Sequence, residues 1–329
     1  MRSPIRILAL AASAALLAGC SSVIDMGTGE DEAPADQSLP ASCTGKDPRI
    51  AVSLPNLTNP YYVAMKKGFE QGAEANGFSA EVQVAGDDDA AQLSQVQAML
   101  QKQPCALALN PVKSEPAAAI VRAANDAGVP VFTVNISVDD EALKSQGAQI
   151  VQYLGADNKA GGATMGEQLL KDVGADEKMD IVYVTEPDEA PVVQRDEGFT
   201  SAIEEDENAR VVAKVDGNVK ADDSLQVAGE ALQGHPDTTV IWASTGPATY
   251  GALQAVGTRD DVRVYGFCSS EEPLEGAYAG CVAQEPEKYG TKVTEQIRAF
   301  VDGDDVEEEI LLPLKQFEPG ETPAAGEVG

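Results

Sequence analysis

The sequence predicts an α/β protein of two domains, and three observations carry that prediction. The chain has 329 residues, about the length of two domains of ordinary size. From Arg49 onward, short apolar runs of strand length alternate with helix-length runs, the pattern of repeated βα units in a parallel sheet with right-handed crossovers. A second series of the same kind follows the first and echoes its element order. Hydrophobic residues make up 43% of the chain, enough for ample core.

The first 48 residues are expected to lie outside that fold. Arg2 and Arg6 precede a short apolar run at 7–17, too short to span a bilayer, so 1–19 reads as a removable signal peptide. It ends in Leu17-Ala18-Gly19-Cys20, which resembles a bacterial lipobox; the resemblance implies cleavage before Cys20 and lipidation of its thiol. Residues 20–48 then read as a lipidated, polar, disordered tether.

The first domain opens on the stretch that organises the rest. Residues 50–54 form a strand-length run, Leu54 to Tyr62 a loop, and 61–76 a helix. Such a loop lies at the carboxyl edge of an α/β sheet, where ligands of this architecture bind. Pro60 suits the first helical turn, and Asn59 before it suits the cap while offering an amide. Tyr61 and Tyr62 add aromatic faces, suited to a small polar ring with apolar C–H faces. A plain helix cap with two core tyrosines explains the same residues. Further strands are expected at 80–84, 105–109, 129–134 and 150–154, with helices at 90–103 and 115–127.

In the second series, helices are expected at 158–172, 191–205, 221–233, 247–256 and 285–301. Strands are expected at 179–184, 210–215, 238–243, 262–267, 281–283 and 310–314, and 317–329 reads as a disordered Gly/Pro/Glu tail. Trp242 lies inside an apolar strand and reads as core.

Composition excludes some partners. A net charge of −31 argues against nucleic acid and against binding to an anionic membrane surface. Beyond Cys20, four cysteines in an exported chain suggest two disulfides with three possible pairings. Pairing Cys43 with Cys105 and Cys268 with Cys281 keeps each bridge within one domain.

Enzyme signatures are weak. The one histidine, His235, precedes a strand and so falls at the edge opposite the ligand-binding one. No G-x-S-x-G elbow appears, the cysteines are too dispersed for zinc, and 155–162 lacks a phosphate-loop ending. Glu186, Asp188 and Glu189 share one loop, the wrong placement for a flanking glycosidase pair. No catalytic residue, metal or cofactor is assigned.

Several patterns occur in a specific order: Asn59-Pro60-Tyr61-Tyr62, Leu109-Asn110-Pro111, Ala127-Gly128-Val129-Pro130-Val131, Ala156-Asp157-Asn158-Lys159-Ala160-Gly161-Gly162, Gln194-Arg195-Asp196-Glu197-Gly198-Phe199, Tyr265-Gly266-Phe267 and Val282-Ala283-Gln284-Glu285-Pro286. Together, over about 49–314, they resemble the ribose-binding-protein-like family, type I periplasmic sugar-binding proteins that serve ABC importers. The resemblance implies two Rossmann-like domains joined by a three-stranded hinge. Crossings fall near 156–157, 284–285 and 303–306, giving domains 49–156 plus 285–304 and 157–284 plus 305–316.

It implies a ligand in the interdomain cleft, held by Asn59, Tyr61, Tyr62, Asn135, Arg195, Thr245 and Gln284. Asn135 stands where ribose binders have Asp and some hexose binders Asn, and Ile136 where ribose binders have Arg. Thr245-Gly246 replaces Asn-Asp, and Cys268 replaces a ligand-gripping Asp. These departures argue against ribose itself. Glu186, Asp188, Glu189, Ser244, Thr245 and Ser269 could compensate, although solvated loop charge and helix capping explain most of them equally.

The expected function is therefore a lipid-anchored, extracytoplasmic, monomeric solute-binding protein. It would take a sugar-like small molecule or polyol and hand it to an ABC permease and its ATPase. A receptor of the same fold for a nucleoside, amino-acid-like or signalling ligand is the alternative.

Overall fold

The computed structural model describes residues 39–329 except 175, 176 and 271. The signal peptide and Cys20 lie outside the described residues. Two six-stranded sheets carry the fold. The first contains β1 (Arg49–Leu54), β2 (Ser79–Val84), β3 (Ala106–Leu109), β4 (Val131–Val134), β5 (Gln152–Ala156) and β11 (Glu309–Leu312) in the order β11-β5-β4-β3-β1-β2. The second contains β6 (Met179–Thr185), β7 (Ala209–Asp216), β8 (Val240–Ala243), β9 (Arg263–Phe267), β10 (Tyr278–Ala283) and β12 (Lys315–Phe317) in the order β12-β10-β9-β8-β6-β7. All pairings are parallel except β10 with β12.

Both sheets are covered on both faces, which is why their central strands read as continuous apolar runs rather than alternating ones. Ala-Leu-Ala-Leu in β3 and Val-Ile-Trp-Ala in β8 are buried at every position. Trp242 is fully buried and stacks on Phe199 at 4.4 Å between ring centroids.

Helices α1 (Pro60–Ala75), α2 (Asp89–Leu100), α3 (Ala117–Asp126), the short α4 (Asp140–Gln146) and α9 (Pro286–Asp302) belong to the first lobe. Helices α5 (Asn158–Val173), α6 (Ala190–Ile203), α7 (Ala221–Gly234) and α8 (Gly246–Val256) belong to the second. In both lobes helices touch backbone to backbone across glycines. A Cβ on Gly68 in α1 would lie 2.0 Å from the Glu287 carbonyl oxygen in α9. A Cβ on Gly162 in α5 would lie 1.9 Å from the Arg195 carbonyl oxygen in α6, and one on Gly198 1.9 Å from that of Lys159. The second contact fixes the height of Arg195 against the sheet.

Disulfides join Cys43 to Cys105 and Cys268 to Cys281, with Cα–Cα distances of 4.7 and 5.0 Å. The first revises the tether: residues 39–48 are folded, because Cys43 sits in a 3-10 turn at Ala41–Thr44 pinned to the start of β3.

Two further expectations are corrected. The third passage between the sheets lies between β11 and β12, not at 303–306. Helix α9 ends at Gly303 (φ 86°), and β11 first pairs with β5. The 317–329 tail is folded as well. Its Gly/Pro/Glu composition hides two apolar anchors, Phe317 and Val328, both about 95% buried. Gln284 and Val328 form an antiparallel bridge.

Candidate ligand-binding cleft

The strand order of each sheet reverses beside its first strand, β1 or β6, and ligands of α/β sheets bind at the carboxyl ends next to such reversals. The loops after β1, β4, β6, β7 and β8 meet there. All seven sequence-predicted residues, Asn59, Tyr61, Tyr62, Asn135, Arg195, Thr245 and Gln284, line one cavity. Ile136, Glu189, Pro191, Val219 and Gly329 complete its wall.

The first lobe supplies amides and aromatics. Asn59 caps α1, its Oδ1 accepting from the Tyr61 amide at 3.0 Å. Asn56 shapes the preceding loop: its Oδ1 accepts from the Asn59 amide at 2.9 Å and its Nδ2 donates to Asp87 at 2.7 Å. Tyr61 and Tyr62 pack edge to face at 5.4 Å. The Tyr61 hydroxyl lies 2.9 Å from Asn135 Oδ1 and 3.0 Å from Gln284 Oε1. One phenol proton serves one acceptor at a time, so this cluster can exchange partners with an incoming hydroxyl. Burial holds both tyrosines well above the ordinary phenol range, so they stay neutral.

The second lobe supplies charge. Arg195 is 4% exposed. Its Nε donates to Asn158 Oδ1 at 2.8 Å, one Nη donates to the Ser244 carbonyl at 2.9 Å, and its guanidinium lies 3.7 Å above the Phe267 ring. It is thus more deeply built into its lobe than a free cleft residue would be. Next to it, Asp196 accepts from Trp242 Nε1 at 2.7 Å, from Thr185 at 2.6 Å and from Ser244, tying the ends of β6 and β8 together. Thr245 both lines the cavity and caps α8, its hydroxyl accepting from the Ala248 amide at 3.2 Å.

Glu189 lines the cavity half-buried, and burial first, then repulsion from Glu186, pushes its carboxyl up to about 8. Its neighbour Asp188 instead reaches across the lip to Lys113 of the first lobe. There Ser114 Oγ also accepts from the Ala190 amide at 3.0 Å. Cys268 is fully buried in its disulfide and is not part of the wall, which resolves the sequence's two options for it.

Two wall residues hold left-handed backbone, Asn135 (φ 64°) and Val219 (φ 49°). For a β-branched residue this is a true outlier, and such strain gathers at ligand clamps. Val219 and Gly329 carried no sequence signal, because their place in the wall depends on contacts far from them in the chain. Asn56 did carry one, since an Asn two to three residues before a cap is a turn former.

The cavity measures about 20 Å³, room for about one water. A small solute needs far more. Among the described residues, no group of three or more His, Cys, Asp or Glu side chains could hold a metal. No described helix is long and apolar enough to cross a membrane.

Residues 50–305 match the family model described as "Periplasmic binding protein domain". The ribose import binding protein of Bacillus subtilis (strain 168) is 29% identical over 275 residues, covering 82% of this chain and 87% of the relative. Among solved structures, an ABC transporter solute-binding protein from Mycobacterium smegmatis with bound glycerol aligns with a TM-score of 0.79 at 22% identity. That alignment covers 86% of this chain and 99% of that one. A Bacillus halodurans solute-binding protein with bound myo-inositol aligns at 0.74 and 24% identity, covering 84% and 96%. The chain therefore belongs to the periplasmic binding protein domain family, in its ribose-binding-protein-like, type I form.

Proposed function

We propose that this protein captures a small polyhydroxy solute, a sugar or polyol, between its lobes and delivers it to an ABC importer outside the cytoplasm. The single observation that carries this reading is the convergence of amides, tyrosines and one arginine from both lobes and the hinge on one cavity. Amides and a guanidinium fork match vicinal hydroxyls, and the tyrosine faces match the C–H faces of a sugar ring. The ribose, glycerol and myo-inositol proteins to which the chain is similar support the same ligand class.

Ligand binding and closure are one event, since neither lobe alone holds all the contacts. The role is binding without chemistry and without a cofactor. The protein would act as a monomer, and lipidation at Cys20 would keep it membrane-attached beside its permease and ATPase; fractionation of a Cys20→Ala strain tests that anchor.

The function is tested by a thermal-shift screen of pentoses, hexoses, polyols and nucleosides, followed by calorimetry. A ligand that binds only the folded form raises its apparent stability by about 2.7 kcal/mol at one hundred times Kd. A screen in which only nucleosides, or nothing, raise the melting temperature would overturn the polyhydroxy reading.

A further inference from the structure

Gly329 occupies the cleft, with Val328 packed beside it in the first-lobe core. Gly329 lines the cavity beside Arg195, Thr245 and Gln284. Its carbonyl oxygen accepts from the Gly246 amide, at the N-terminus of α8, at 2.7 Å, and its own amide donates to the Cys268 carbonyl, past the end of β9, at 2.8 Å. Val328 pairs with the Gln284 backbone in both directions, at 2.8 and 3.1 Å. One residue thus satisfies both a backbone donor, the Gly246 amide, and a backbone acceptor, the Cys268 carbonyl, of the second lobe. A single ligand hydroxyl, which both donates and accepts, would satisfy the same pair.

We propose that Val328 and Gly329 are a built-in occupant of the ligand cleft, which holds the closed form and is displaced when a hydroxyl-bearing ligand binds. The proposal rests on the solute-binding reading above and adds a competitor to it.

The slot is made for this segment. A Cβ on Gly246 would lie 2.3 Å from the Gly329 oxygen, and a Cβ on Gly329 would lie 2.4 Å from Phe267 Cβ, beneath the Arg195 guanidinium. Glycine at both positions is what allows the approach. The segment also joins the lobes. The Val328 side chain is buried in the core cluster of the first lobe with Tyr61, Tyr289 and Leu154, while the Gly329 backbone is bound to the second.

The residues just before it are anchored separately. The Glu327 carboxylate accepts from Lys315 Nζ at 2.8 and 3.1 Å and from the Ala324 amide at 2.7 Å, and the Glu321 carbonyl accepts from the Leu274 amide. The dipeptide can therefore leave the slot while 317–327 stays in place. Tethered this closely, it competes at a millimolar effective concentration or above.

Two variants test this: deletion of residues 328 and 329, and Gly329→Ala, which evicts the residue through its contact with Phe267. Calorimetry with D-ribose, D-allose, myo-inositol and glycerol is run on wild type and both variants, with melts to confirm that each is folded. Both variants should bind whichever probe binds wild type about tenfold tighter or more, because the competitor is gone. Hydrogen exchange on wild type should show the Val328, Gly329 and Gln284 amides losing protection when that probe is added.

Equal or weaker binding by the folded variants, or tail amides that stay protected in the complex, would overturn the proposal and leave the solute-binding reading standing. Binding by none of the three forms would overturn the solute-binding reading itself, and this inference with it.

Discussion

The two walls of the cleft solve the same problem with different chemistry. The first lobe presents neutral groups: two tyrosines held protonated by burial and the amides of Asn59 and Asn135. Most of that wall comes from one contiguous stretch, 59–62, at the start of one helix. The second lobe presents Glu189 and Arg195 from the start of α6, Val219 and the start of α8, gathered from beyond the ends of β6, β7 and β8 and backed by a disulfide. The neutral wall gives shape and does not change with pH. The charged wall gives grip and titrates. Arg195 is buried against the Phe267 ring, and burial lowers its pKa from the ordinary guanidinium value.

The largest expected effect separates the lobes by their disulfides. Cys105→Ser opens a bridge of sequence separation 62 and should cost about 4 kcal/mol of stability on the chain-entropy model. Cys281→Ser opens one of separation 13 and should cost about 3 kcal/mol. Denaturant melts under oxidising conditions measure both; a larger loss from the second variant would reverse the ranking and point to strain relief in the first lobe.

Arg195→Ala comes next. It should weaken ligand binding by about 2–4 kcal/mol. It should also lower the stability of the free protein by about 1–3 kcal/mol, because Asn158 and the Ser244 carbonyl lose their donor. Calorimetry and melts read the two separately. Unchanged affinity would remove Arg195 from the ligand site and leave it as a strut.

The pH dependence should belong to the charged wall. In the folded protein burial, then repulsion from Glu186, raises the Glu189 carboxyl from its ordinary 4.5 to about 8. A group raised in this way favours the closed, folded form fully below 4.5, and that contribution is lost as pH rises through 8. Glu186, Asp87, Arg195 and Lys113 share its field. Melting temperatures between pH 4.5 and 8 should therefore fall more in wild type than in Glu189→Gln; parallel curves would mean that Glu189 is charged in the closed form.

Tyr61→Phe probes the neutral wall. Loss of the hydroxyl between Asn135 and Gln284 should weaken binding by about 1 kcal/mol and lower stability by about 1 kcal/mol, since a buried acceptor loses its donor. A tenfold larger loss in calorimetry would make the phenol a direct ligand contact. Lys113→Ala, at the lip, should change affinity by less than about 1 kcal/mol, since both partners are partly exposed. Its effect should vanish in high salt.

What the sequence alone determined follows from short-range physics. The alternation of apolar and helix-forming runs placed nearly all the strands and helices, because burial on both sheet faces demands continuous apolar strands. The stretch Asn59-Pro60-Tyr61-Tyr62 was legible because cap, first-turn proline and aromatic plates are local devices. Even count and compartment suggested two disulfides, and keeping each bridge within one domain suggested the pairing that joins Cys43 to Cys105 and Cys268 to Cys281.

What only the tertiary structure decided depends on contacts between distant residues. Arg195 is a buried strut as well as a cleft group because Gly162 and Gly198 bring α5 and α6 into backbone contact. Glu189, one acid in an acidic loop, lines the cavity while Asp188 turns to solvent and Lys113. The tail folds because two apolar anchors, Phe317 and Val328, find pockets, and Gly329 finds a slot between Gly246 and Phe267 that exists only once the second lobe is built. Local composition cannot register such a site, since none of the groups that form it is near the tail in sequence.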